Sequence, residues 1–74
     1  AGRRDIFERT LQAGHSAAWE GRWAEALTSY QAAVAEFPDD GGALNALGMA
    51  YLEQNQLKEA LTVYQRAAAR TPGD

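Results

Sequence analysis

Chemistry in this chain would have to begin at His15, the sole histidine, or at the scattered glutamates. A metal site needs three or four ligands at set spacings. His15 has no cysteine anywhere in the chain to join it and no acidic residue at ligand spacing. As a general base it would need a nucleophile or an orienting carboxylate within hydrogen-bond reach, and Ser16 beside it points elsewhere on a helix. His15 is therefore read as a solvated or surface-lining side chain. Glu20, Glu25, Glu36, Glu53 and Glu59 read as solvated faces, since no two have a reason to share a cleft. Gly41-Gly42 lacks the spacing and the lysine of a phosphate loop and reads as a turn. Trp23 and the tyrosines read as packing residues rather than a cofactor box. The expectation is no catalytic residue, no metal and no cofactor.

The elements that must position these residues are short. With 74 residues the chain has room for one domain, whose core is marginal at this size. Hydrophobic residues make up 46%, within the globular range, so disorder is not expected. No apolar run approaches the eighteen or so residues of a membrane span. The start lacks a signal-peptide layout and does not begin with methionine, so the chain reads as a processed or excised piece, with the cytoplasm as default compartment.

The net charge of −3 is uneven. Residues 7–40 hold two cations against six anions, 2 − 6 = −4, whereas residues 41–74 cancel, 3 − 3 = 0. The leader, 1–6, adds +1 from Arg3, Arg4 and Asp5. Nucleic-acid binding wants a basic stripe to displace phosphate counterions. None is present, and that class is set aside.

Apolar spacing then divides the chain into four helices. Residues 1–5 read as a leading strand or the start of a helix, and Ile6, Phe7, Leu11, Ala13, Gly14, Ala17 and Ala18 follow at helical intervals until Gly21. Trp23, Ala26, Leu27, Tyr30, Ala33, Val34 and Phe37 form one stripe, closed by Pro38. Pro38-Asp39-Asp40-Gly41-Gly42 is a turn in which either aspartate can cap the next helix. Leu44, Leu47, Gly48, Tyr51 and Leu52 carry the third helix. After Asn55-Gln56, Leu57, Ala60, Leu61, Tyr64, Ala67 and Ala68 carry the fourth, which stops near Thr71-Pro72-Gly73. Short turns make neighbours antiparallel, giving two αα-hairpins.

The hairpins are two copies of one unit. Glu25-Ala26-Leu27-Thr28-Ser29-Tyr30-Gln31 returns 34 residues later as Glu59-Ala60-Leu61-Thr62-Val63-Tyr64-Gln65. The same offset pairs Gly14 with Gly48, Ala33 with Ala67, Ala35 with Ala69, Pro38 with Pro72 and Asp40 with Asp74. A fixed period of this size marks a solenoid. Gly14 and Gly48 cost about 1 kcal/mol each in mid-helix, which is explained if another helix lies against them. Ala26 and Ala60, one turn before Tyr30 and Tyr64, let helices approach while the tyrosines fill the space beside them.

Leu44-x2-Leu47-Gly48-x2-Tyr51, Ala60-x3-Tyr64 and Pro72 together resemble the tetratricopeptide repeat. The resemblance covers residues 7–40 and 41–74 as two repeats. It departs at Leu44, where the family favours tryptophan, at Tyr64, an aromatic swap, and around Gly14, where Thr10, Ala13 and Ala17 replace larger residues. It implies an all-α solenoid of two stacked antiparallel hairpins in a right-handed superhelix, with a concave groove that binds peptides or proteins. It places Leu11, His15 and Trp19 of the first repeat and Asn45, Met49 and Leu52 of the second on that groove. Trp19 stands between two roles, groove exposure and inter-repeat packing. The family's clamp for a terminal carboxylate is not matched: Leu11, His15 and Ala46 stand where its lysine and asparagines belong. A partly apolar peptide or helix fits these residues better.

Two repeats leave an end uncovered, and about three are usually needed for stability. Leu61, Tyr64 and Ala68 in the last helix are expected to leave apolar surface open. Either the chain is part of a longer array that covers them, or it forms homo-oligomers through that helix. The expected function is a non-catalytic protein-interaction module, with self-association as the alternative.

Overall fold

The computed structural model describes residues 2–69. They form four helices, α1 (Arg3–Trp19), α2 (Trp23–Glu36), α3 (Gly41–Glu53) and α4 (Leu57–Ala69). Among the described residues there is no strand, and the leader is taken up into α1 from Arg3 onward. Each helix packs chiefly on its neighbour in the chain: α1 on α2, α2 on α3 and α3 on α4. That is the nearest-neighbour pattern of a helical repeat. The end of α4 near Thr71-Pro72-Gly73, and the pairings at Pro72 and Asp74, lie outside the described residues.

The turns inside the two hairpins are the same structure made twice. Gly21 and Asn55, 34 residues apart, both take left-handed backbone angles, φ 79° and φ 62°. The Arg22 amide donates to the Ala17 carbonyl at 2.8 Å, and the Gln56 amide to the Tyr51 carbonyl at 2.8 Å. Gly21 N–H donates to Ala18 O at 3.0 Å, and Asn55 N–H to Leu52 O at 2.9 Å. This pair of bonds satisfies helix-end carbonyls that otherwise lack partners. Between the hairpins Asp40, not Asp39, caps α3: its Oδ2 accepts from the Ala43 amide at 2.9 Å.

The mid-helix glycines are explained by the tyrosines of the facing helices. A Cβ on Gly14 would lie 2.5 Å from the Tyr30 ring, and one on Gly48 would lie 2.8 Å from the Tyr64 ring. Each tyrosine ring takes the space that a side chain there would need. Ala26, Ala33 and Ala60, fully buried or nearly so, let the backbones approach to that distance. Phe7, Tyr30, Val34, Leu44, Leu47 and Val63 fill the core among them, and Leu44 is its largest fully buried side chain. Phe7 meets Phe37 edge-on, with ring centroids 5.0 Å apart.

Two polar ties span the seam between hairpins. Gln31 Nε2 donates to the Tyr51 hydroxyl at 3.1 Å, and Arg66 Nη2 donates to the Pro38 carbonyl at 2.8 Å. Only part of the apolar stripe of α4 is buried. Ala60, Val63 and Ala67 are buried, whereas Leu57, Leu61 and Ala68 are exposed. Among the described residues α4 packs on α3 alone, and it buries a narrower stripe than α2 does.

Candidate interaction surface

Trp19 is the last residue of α1, and its side chain is 91% exposed. Of the two roles open to it, groove exposure and inter-repeat packing, the structure shows exposure. His15, one turn earlier, is also at the surface, but its ring is fixed from below. Its Nδ1 lies 2.7 Å from the Tyr30 hydroxyl, and the two rings meet edge-on. Tyr30 is 3% exposed, and its burial raises the phenol pKa, so the hydroxyl keeps its proton. The phenol that fills the place of a Gly14 side chain thus also holds the imidazole in position.

Across from them on α3, Met49 is 51% exposed. Between α1, α3 and the start of α2 lies a hollow of about 390 Å³. His15, Trp19 and Met49 line it together with Trp23, Tyr30 and small walls from Ala18 and Ala46. Of the remaining groove residues, Leu11 is half-buried and packs on the core, while Asn45 and Leu52 are exposed away from the hollow. Three of the six expected residues therefore converge and three do not.

Trp23 was expected only as packing, and it does pack, half-buried against the core. It lines the hollow as well. The left-handed turn at Gly21 folds the chain back so that the first residue of α2 comes beside the last of α1. Spacing along one helix cannot show such a pair. The signal was the turn residue between two tryptophans.

Charged residues flank the hollow in the sequence, although none lines it. Arg22 in the turn is shared by Glu20 at 2.6 Å and Glu25 at 3.1 Å, two carboxylates on one cation. Glu53 stands one turn beyond Met49 on the same face of α3 and forms no ion pair among the described residues. A larger hollow, about 670 Å³, lies elsewhere between α1 and α2. Its walls include Ala13, Ser16, Thr28 and the paired Arg22 and Glu25, with no aromatic residue to anchor a partner.

The second apolar surface is on α4. Leu57 and Leu61 are each 59% exposed, Tyr64 is half-buried, and Ala68 is exposed. Their equivalents in α2, 34 residues earlier, are Trp23, Leu27, Tyr30 and Val34, and all four belong to the core or pack against it. α2 packs against both α1 and α3. Among the described residues nothing follows α4. No group of three or more histidine, cysteine or acidic residues able to hold a metal occurs among the described residues. No described helix is long and apolar enough to cross a membrane.

A protein-family model described as tetratricopeptide repeat matches residues 11–74. No curated protein and no solved structure matches the chain.

Proposed function

This chain belongs to the tetratricopeptide repeat family, and from that premise we propose that it binds a peptide or partner helix along the face carrying Leu11, His15, Trp19, Asn45, Met49 and Leu52. The family is in general a non-catalytic scaffold that binds proteins or peptides. The observation that carries this reading is the 91% exposure of Trp19 beside a hollow of about 390 Å³. Leaving an indole in water forgoes about 1.5–3 kcal/mol of burial, which a partner recovers on binding. Met49 and Leu52 extend the same apolar character along α3. The test is affinity capture with three forms of the chain: wild type, a double variant Met49→Gln and Leu52→Gln, and Leu61→Gln. Partners lost with the double variant and retained with Leu61→Gln support the reading. Partners indifferent to the Met49 and Leu52 changes refute it.

A second reading rests on the open face of α4. Leu57, Leu61 and Ala68 repeat a surface that α2 buries within the same chain. On this reading the chain associates with copies of itself through α4, and Leu61→Gln abolishes the association.

A further inference from the structure

The walls of the hollow specify more than apolar contact. Two indoles, a phenol and a thioether converge there, and none of the lining residues carries a fixed formal charge. An aromatic ring presents a negative face, so a cation placed over it is attracted, most strongly over tryptophan. The charged groups nearby in the chain are three carboxylates and one cation, an acidic excess. Glu20 and Glu25 share the single cation Arg22. Glu53, one helical turn beyond Met49, has no ion pair among the described residues. The whole first repeat, residues 7–40, has a balance of 2 − 6 = −4.

From this juxtaposition we infer that the hollow receives a long cationic side chain, arginine or lysine, from a basic partner segment. Its methylene stem lies against Trp19, Trp23 and Met49, and its charged head faces Glu53 and the aromatic faces. A long side chain of this kind buries its stem on apolar surface while its head remains near water and carboxylate. The second repeat cannot make an equivalent site from its own residues. At the matching positions it has Met49, Glu53 and Leu57 in place of His15, Trp19 and Trp23. The hollow lies at the seam, with its aromatic residues from the first repeat and Ala46 and Met49 from the second, and Glu53 stands one turn beyond Met49.

The inference rests on the reading that this face binds a partner, and the test separates the two. N-acetyl-arginine amide is titrated into the full chain while the Trp19 and Trp23 indole N–H and Met49 methyl resonances are followed. N-acetyl-norleucine amide, which has a comparable stem and no cation, is the control. The expected result is saturable shifts confined to these signals with the arginine probe and much weaker ones with norleucine. Trp19→Ala is expected to weaken the arginine probe about tenfold, and Glu53→Gln about threefold. Glu59→Gln, on the exposed side of α4, should leave it unchanged. Norleucine binding as well as arginine would overturn the cationic specificity and leave an apolar partner site standing. Loss of binding with Glu59→Gln equal to that with Glu53→Gln would show diffuse charge attraction and overturn the inference. Shifts with neither probe would refute both the inference and the use of this hollow by a partner.

Discussion

The two hairpins share one backbone plan and differ in how tightly each tyrosine is held. Tyr30 is 3% exposed, is flanked by a helix on either side and is hydrogen-bonded to His15. Tyr64 lies against its glycine in the same way but is half-buried, on a helix that packs on α3 alone among the described residues. At the position of His15 the second repeat has Met49, which offers a phenol no strong acceptor. Identical motifs therefore have unequal rigidity. The difference comes from the His15 bond and from the second helix packed on α2, not from the shared glycine–tyrosine motif.

Core substitution should show the largest contrast. Leu44→Ala, at the seam and fully buried, is expected to cost about 2–5 kcal/mol, and Leu61→Ala, 59% exposed, less than about 0.5 kcal/mol. Chemical denaturation followed by helicity measures both, and equal losses would mean that α4 is covered in solution. The glycines come next. Alanine gains about 1 kcal/mol of helix propensity at either site, and overpacking costs about 1–3 kcal/mol. Tyr30 cannot yield, so Gly14→Ala should lose about 1–2 kcal/mol net. Tyr64 can swing toward solvent, so Gly48→Ala should be nearly neutral. Leucine at position 48 exceeds what that movement accommodates and should lose about 1–3 kcal/mol. If Gly14→Ala and Gly48→Ala prove equally tolerated, the tyrosines are equally free and the contrast fails.

The turns should differ less. Gly21→Ala places a Cβ in left-handed backbone and should lose about 1 kcal/mol, while Asn55→Gly should gain a few tenths, roughly, by relieving the same strain. Thermal melts would show the opposite signs. Alkaline titration gives the smallest effect. The raised Tyr30 pKa means the folded state holds a proton that the unfolded chain releases. The resulting stability is complete below pH 10.0 and falls as pH rises through the folded value. Tyr30→Phe should flatten the decline in that window. A slope unchanged by the substitution would assign the decline to other groups.

Much of this was legible in the residues. The 34-residue period sets four helices and two hairpins, and Gly14 and Gly48 in mid-helix signal close helix approach. Three features were harder to read. Val63 is buried, although its equivalent 34 residues earlier is the polar Ser29, so repetition gives no signal for it. Trp23 joins Trp19 across a left-handed turn, outside any helical spacing. The bond from Tyr30 to His15 depends on the depth of the phenol, which types and spacing do not give.

The most direct test of an interaction module with an open groove is light scattering on a sizing column, across a wide concentration range and with helicity recorded in parallel. The account expects a folded monomer of 8.0 kDa at every concentration, with the α1–α3 face free for a partner. A dimer or larger assembly that loses helicity on dilution would contradict it. It would identify the α4 face as the surface this chain uses, with a second copy as its partner.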